Sequence, residues 1–381
     1  MKSVVSLREC KSYDPAVLSR TLESVIADVG GWQTSIKPGA RVLLKPNLLM
    51  SAAPDRAVVT HPAFVEAVAT MVVDSGATPF LGDSPPLGKL NRVLSKSGYD
   101  PFMERLGVKA VPFTETVSVE YGEDRVFRRI ELAKEVFQFD AILNLPKLKT
   151  HGQMVMTLAV KNLFGLIVGA DKASWHLRAG KDFDSFATVL VQIFDRVRPA
   201  ISLVDGILGM EGNGPNNGSP RSIGLVGASS DAIALDAELC RAVGIPPEQV
   251  RTCVIGERLG VGNVRPDFID RVGDSLAGFP LRDFRPPKSM TMTWNLSSTN
   301  PLRKFLENHL ITRPDIDPSV CQVCGICMGH CPPQAISNRN GTMVIDRSQC
   351  ISCFCCQELC PHDAVRVVEP LLGRCLRAIS R

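Results

Sequence analysis

Aromatic residues are scarce, at 6% of the chain with three tryptophans and three tyrosines, and no basic stretch is interleaved with them. That excludes the stacking platform of a single-strand nucleic-acid binder. Charge of one sign is lacking too. Lysines and arginines number 43 against 39 aspartates and glutamates, leaving +4, too small a surplus to argue for nucleic acid. No apolar run approaches the roughly 18 residues of a membrane span. The first residues, Met1 to Arg8, alternate like a strand and reach charge too soon for a signal peptide. The expectation is a cytoplasmic protein without a transmembrane segment. Nucleotide signatures are absent as well. No P-loop is present, Gly260-Val-Gly262 lacks the third glycine of a dinucleotide fingerprint, and Gly209-Met-Glu-Gly212-Asn-Gly214 has the wrong order. Neither the nucleophile elbow nor the zinc-protease helix motif occurs.

Cysteine is abundant, with 13 in 381 residues, and eight fall into two identically spaced quartets. The first is Cys321, Cys324, Cys327 and Cys331, followed by Pro332; the second is Cys350, Cys353, Cys356 and Cys360, followed by Pro361. This is bacterial ferredoxin spacing and implies two 4Fe–4S clusters. Three thiolates two residues apart can wrap three corners of one cluster, while the fourth points to the other. Cluster I is therefore assigned to Cys321, Cys324, Cys327 and Cys360, and cluster II to Cys350, Cys353, Cys356 and Cys331. Zinc would have no use for the third spaced cysteine and the Cys-Pro. Disulfides would need an oxidising compartment. The halves form an internal repeat, with Asp317-Pro-Ser-Val-Cys321 matching Asp346-Arg-Ser-Gln-Cys350. Cys355 is read as a non-ligand packed near the cluster. Cys10, Cys240, Cys253 and Cys375 are read as ordinary thiols.

Residues 1–275 alternate between period 2 and period 3.6. Buried strands are read at Arg41–Lys45, Thr78–Gly82, Asp140–Asn144, Ile201–Asp205 and Ser222–Gly227. Thr60 is expected to cap a helix that begins at Pro62 and ends at Gly76. Apolar strands alternating with amphipathic helices predict an α/β domain, an open and mainly parallel sheet with helices on both faces. Residues 276–314 read as a linker with a short helix near Leu302–Leu310. Residues 315–370 read as a small α+β ferredoxin-type domain with a pseudo-two-fold repeat, stapled by its clusters. Residues 371–381 form a tail.

Ligands of open α/β sheets bind beyond the carboxyl ends of the strands. Polar clusters sit at such positions: Lys45-Pro-Asn47, Gly82-Asp-Ser84, Asn144 to His151 and Asp205-Gly206, with Thr60-His-Pro62, Lys161-Asn162 and Glu211 to Pro215. The same stretches resemble the family catalogued as domain of unknown function 362, DUF362, often found fused to a ferredoxin. The match is carried by Leu44-Lys-Pro-Asn-Leu48, Thr60-His-Pro62, Gly82-Asp-Ser84, Asn144-Leu-Pro-Lys-Leu-Lys-Thr-His151, Val160-Lys-Asn-Leu-Phe-Gly165, Val204-Asp-Gly206 and Glu211-Gly-Asn-Gly-Pro215. The resemblance implies that these polar residues gather in one place.

Gathered, Lys45, Lys147, Lys149 and Lys161 would make an electropositive pocket for a carboxylate or phosphate. His61 and His151 could move protons near neutral pH. Asp83, Asp205 and Glu211 could position those groups or bind a hard cation, and Asn47, Asn144 and Asn162 could hold a bound molecule. The glycine- and asparagine-rich stretch from Gly206 to Gly218 could be an anion nest, a lid or a plain loop. The expectation is an iron–sulfur electron-transfer protein, a redox enzyme or reductase component served by a redox partner protein and acting on an anionic small molecule. The alternatives are an electron carrier or adaptor docking to an oxidoreductase, and a cofactor or protein maturation factor.

Overall fold

The computed structural model describes residues 2–32, 35–123, 125–169, 171–180, 182–287 and 312–368. The expected helix at Leu302–Leu310 and the tail from Leu371 lie outside the described residues. In chain order the first strands are β1 (Ser3–Glu9), β2 (Arg41–Pro46), β3 (Thr78–Asp83), β4 (Lys109–Pro112), β5 (Thr116–Glu120) and β6 (Arg129–Ala133). They continue with β7 (Ala141–Leu145), β8 (Lys147–His151), β9 (Val155–Thr157), β10 (Ile201–Glu211), β11 (Ser219–Ser229) and β12 (Ile269–Gly273). Ten of them form one sheet, ordered β12-β1-β11-β10-β7-β2-β3-β4, with β8 beside β10 and β9 beside β8. The pairings β2–β3, β2–β7, β3–β4, β7–β10, β8–β10 and β1–β12 are parallel, so the sheet is mainly parallel. Alternation along each strand divides two cores. Val42 and Leu44 face one, Leu43 the other; Leu203 and Val204 divide in the same way.

Three local readings change. The cap of the helix Pro62–Asp74 is His61, whose ring Nδ1 accepts from the Ala63 amide at 3.2 Å. Thr60 instead ties two strand ends together, accepting from the Asn47 amide and donating to the Leu145 carbonyl. The polar run after Asn144 is itself a strand: Pro146, which has no amide hydrogen, interrupts the chain, and β8 continues along β10, entirely buried. The stretch from Gly206 is no loop until Gly212, because β10 and β11 form one long antiparallel hairpin.

The C-terminal module contains β13 (Arg313–Ile316) paired with β16 (Val365–Val368), and β14 (Ile336–Arg339) paired with β15 (Thr342–Ile345). Two short helices, Ile326–Gly329 and Cys355–Leu359, lie between them. The repeat is visible in the backbone. Positive φ recurs at equivalent places, Val323 and Ser352, Gly325 and Phe354, Gln334 and Asp363. Asp317 and Asp346 each accept from a serine hydroxyl at 2.6 Å.

The tip of the β10–β11 hairpin docks this module. Gln357 donates to the Asn213 carbonyl at 3.0 Å and the Gly214 carbonyl at 3.2 Å. Asn216 and Asn217 both donate to the Cys360 carbonyl at 3.1 Å. A side chain at Gly214 would put its Cβ 2.2 Å from the Thr150 carbonyl oxygen. Phe354 is fully buried in the core of the α/β domain. It adopts φ +61° where the first repeat has Gly325, a conformation uncommon for a bulky residue.

Candidate functional site

The cysteines gather as their spacing implies. Cys321, Cys324, Cys327 and Cys360 line one small hollow in the C-terminal module. Cys331, Cys350, Cys353 and Cys356 line a second. Backbone amides point at sulfur in both: Ala364 to Cys360 at 3.3 Å, Ala335 to Cys331 at 3.2 Å and Ser352 to Cys350 at 3.4 Å. Amide donors of this kind stabilise bound thiolate and tune a cluster. Among the described residues no three His, Cys, Asp or Glu side chains converge on a single-ion position; the sulfurs ring hollows instead. The donor set fits 4Fe–4S ligation. Cys355 contributes to the wall of the second hollow and to the larger cavity beyond it.

That cavity, about 520 Å³, lies between the α/β domain and the cysteine module, within the range of small-molecule sites. The sheet side supplies Lys45, Asn47, Asp83, Lys149, His151 and Thr157. The segment after β9 supplies Lys161, Asn162, Phe164, Lys172 and His176. The module supplies Cys331, Pro332, Cys355, Glu358 and Leu359.

The charges differ in how they are held. Lys45 pairs with Asp83 at 3.0 Å and donates to the Pro46 carbonyl. Lys149 donates to the Val58 carbonyl at 2.6 Å, and Lys172 to the Ile167 carbonyl. Lys161 makes no hydrogen bond or ion pair among the described residues; its ammonium lies 4.8 Å from the Phe164 ring centre and 5.8 Å from that of Phe186. Burial lowers all four lysines, Lys149 and Lys172 to about 7. The Nδ1 atom of His151 accepts from the Gln153 and Met154 amides, so Nε2 carries the proton. It faces Glu358 Oε1 at 2.8 Å, off the axis of a good hydrogen bond. Burial also lowers His151, despite Glu358, and pushes His176 down to about 3. Lys149 and Lys172 thus titrate near neutrality, and burial holds the histidines below their ordinary range.

The remaining expected residues stand elsewhere. Lys147, Asp205 and His61 form a closed cluster with Tyr13. Lys147 reaches Asp205 at 2.7 Å and the Tyr13 hydroxyl at 3.0 Å, Tyr13 donates to Asp205 at 2.8 Å, and the Tyr13 and His61 rings stack at 3.7 Å. Burial pushes His61 down to about 4. Lys147, Asp205 and the Tyr13 hydroxyl are paired with one another and none of the four residues lines the cavity, so the arrangement fixes the strand ends. Glu211 accepts from Arg285 at 2.7 Å, at the hairpin tip. Asn144 is the buried end of an amide chain. Asn47 donates to Asn162 at 3.0 Å, and Asn162 donates to Asn144 at 2.8 Å. Lys172 and His176 are additions that the motifs do not contain. Their i, i+4 spacing on one helix was the available signal, beside Trp175.

An α/β sheet joined to a ferredoxin-type cysteine module defines the class, an iron–sulfur electron-transfer protein. The chain belongs to the family described as Domain of unknown function (DUF362), whose model matches residues 42–241. A second model, 4Fe-4S dicluster domain, matches residues 313–361. The chain is 41% identical over 262 residues to a thylakoid-associated protein of Synechocystis sp., covering 68% of this chain and 81% of that one. It is 42% identical over 55 residues to a dihydromethanopterin reductase (acceptor) of Methanosarcina mazei, covering 14% of this chain and 23% of that one. The lactate racemase apoprotein of Thermoanaerobacterium thermosaccharolyticum superimposes over 62% of this chain and 56% of that one, with TM-score 0.41 and 10% identity. No helix among the described residues is long and apolar enough to cross a membrane.

Proposed function

We propose that the protein is a reductase, or a reductase component, whose C-terminal module delivers electrons to a small molecule bound in the lysine-lined cavity. Two 4Fe–4S clusters, held by the two cysteine quartets, would supply electrons one at a time. The observation that carries the reading is the shared wall: Cys331, assigned to cluster II, and Cys355 beside it line the same cavity as Lys149, Lys161 and Lys172. At the other end Cys324 and Met328 are exposed, which suits a reduced partner protein as the electron donor. Two electrons from that partner and two protons would add across an unsaturated bond of the bound molecule. Lys149 and Lys172, with values near 7, are the groups suited to give up protons there. Lys45, Lys161 and Asn47 would orient the molecule. The cytoplasm is the proposed compartment, where unpaired thiols such as Cys240 and Cys253 stay reduced.

The test is reoxidation of the reduced protein. Anaerobically reconstituted protein, reduced and freed of dithionite, is mixed with phosphorylated and carboxylated enones, enoates and quinones, and the visible absorbance is followed. Lys161→Met should slow reoxidation by the effective acceptor at least tenfold with iron content unchanged. Equal rates in parent and variant for every acceptor would refute delivery through the cavity.

A further inference from the structure

Four lysines and two carboxylates line the cavity, a surplus of two positive charges when every lysine is protonated and the histidines are neutral. The surplus is local. Asp83 already answers Lys45 at 3.0 Å and Glu358 faces His151 at 2.8 Å. Lys149 and Lys172 are met by backbone carbonyls, and Lys161 by aromatic ring faces. Unfilled hydrogen-bonding capacity lies on the same walls. The Thr157 hydroxyl, His176 Nδ1 and Asn47 Oδ1 are buried atoms without a partner. Thr157 and His176 are each only 4% exposed. Buried polar groups are normally satisfied, and leaving one unsatisfied is unfavourable, so three lining one cavity mark a place for a polar guest. Lys161 and His176 are held beside each other by the same two rings: His176 stacks on Phe186 at 4.2 Å and meets Phe164 edge-on at 5.6 Å, the pair that also flanks the Lys161 ammonium. The apolar part of the lining includes Leu48, Leu49, Pro215, Pro332 and Leu359.

We infer that the cavity binds a small molecule with two negative charges and an apolar body, its anionic oxygens held by Lys161, Lys149 and Lys172, with Thr157 as a hydroxyl donor. The inference rests on the reductase reading for the identity of the cavity as the substrate site, and it names the substrate class. The two charges could be one phosphate monoester or a pair of carboxylates. Both present oxyanions to ammonium and hydroxyl donors at the distances of charge-assisted hydrogen bonds.

The experiment is anaerobic calorimetric titration of the full-length reconstituted protein with inorganic phosphate and, separately, with succinate. One anion should bind per chain. Lys161→Met and the nearly isosteric Thr157→Val should each weaken it, the first at least tenfold, and Lys161→Arg should restore most of the loss. Lys96→Met, at an exposed position remote from the cavity wall, should bind as the parent does. Iron content and the circular dichroism spectrum identify any variant that fails to fold, and Thr157→Val removes only a hydroxyl. Binding of phosphate alone assigns a phosphate ester, and binding of succinate alone assigns a dicarboxylate. Absence of binding by both, or binding indifferent to Lys161 and Thr157, overturns the inference. The two readings fail separately. Dianion binding without reoxidation by any acceptor would remove the reductase function and leave the site. Reoxidation by neutral acceptors that neither dianion inhibits would remove the dianion site and leave the reductase.

Discussion

Replacing Lys149 by methionine should make the protein more stable, and more so in acid than in alkali. Lys149 is 1% exposed, has no carboxylate partner of its own, and is lowered from its ordinary 10.5 to about 7 by burial. In the unfolded chain it regains its ordinary value. Between pH 7 and 10.5 the unfolded state therefore holds a proton that the folded state lacks, so stability rises with pH across that window. Below pH 7 the ammonium is charged in both states and the full penalty of burying it is felt. A shift of that size corresponds to roughly 5 kcal/mol at most, at about 1.4 kcal/mol per pH unit. Methionine removes the penalty but leaves the Val58 carbonyl, 2.6 Å away in the parent, without its donor, which costs about 1–3 kcal/mol. The net gain at pH 6 is then about 2–4 kcal/mol. At pH 9.5 most of the penalty has already been relieved in the parent, and the variant should be neutral or slightly less stable. The change in advantage between the two pH values, about 3 kcal/mol, does not depend on the Val58 carbonyl. The assay is anaerobic thermal melting by circular dichroism at one scan rate, since loss of clusters makes midpoints rate-dependent. A midpoint raised by about 5 °C at pH 6 is expected, from roughly 2 °C per kcal/mol in a chain of this size. A variant equally destabilised at both pH values would show that Lys149 carries no burial penalty.

Three further outcomes follow from the geometry. A Cβ at Gly165 would lie 2.3 Å from Asp83 Oδ1 and 2.6 Å from Lys45 Nζ, so Gly165→Ala must displace that pair; it should lower stability by about 1–3 kcal/mol in thermal melts and weaken phosphate or succinate binding. At the same pair, Asp83→Leu leaves Lys45 with only the Pro46 carbonyl, whereas Lys45→Met leaves Asp83 with the Leu48 and Ser84 amides. Denaturation should show the aspartate variant losing about 3–5 kcal/mol, the lysine variant less, and the double variant less than the sum. Cys331→Ser should reduce iron from about eight atoms per chain to about four, while Cys355→Ser should leave it unchanged; iron analysis after reconstitution decides both.

The cysteine module was legible because ligand spacing is a covalent constraint. The distance along the chain from Cys321 to Cys327, and the turn at Cys331-Pro332, restrict which sulfurs can share a hollow: Cys360 lies with Cys321, Cys324 and Cys327, and Cys331 with Cys350, Cys353 and Cys356. The main sheet was legible for a related reason, since burial on two faces leaves unbroken apolar strands such as Val42–Leu44. The partition of the polar residues was not legible. Lys147 and Lys149 are two apart on β8, which tells that they share a face, but one meets Asp205 and Tyr13 while the other meets Val58 and the cavity. That difference is set by β10 and by the chain after β2, far away in sequence. Lys172 and His176 carry no motif in the sequence, because the helix bearing them reads as an ordinary polar helix. Nothing local says that Phe164 and Phe186 will hold its ring beside Lys161. The Gly206–Gly218 stretch was ambiguous because asparagine serves a turn and an interface equally well. Its partners, Gln357 and Cys360, belong to the other end of the chain.

Four buried lysines make anion affinity depend on pH, and the direction follows from which of them titrate. Lys149 faces Lys161, Lys147, Glu358 and Asp83, and Lys172 faces Asp83, Lys45, Lys161 and Asp171. Both stand near 7, so each is partly charged at neutrality and almost uncharged at pH 9. A bound dianion favours the charged form of both, so binding above pH 7 draws in protons, and affinity must fall as pH rises. Lys45 is lowered by burial as well, against the pull of its ion pair with Asp83 at 3.0 Å. Sulfate, which stays doubly charged across the range, separates the protein's titration from the ligand's. Its affinity should drop at least tenfold between pH 7 and pH 9 in the parent. The drop should be smaller in Lys149→Met, which has lost one of the two groups that stand near 7. Calorimetry in buffers of different ionisation enthalpy should count about one to two protons taken up per anion at pH 8. A sulfate affinity that stays flat from pH 7 to pH 9 would mean that neither lysine loses its charge there, and the proton-donating role proposed for them would fall with it.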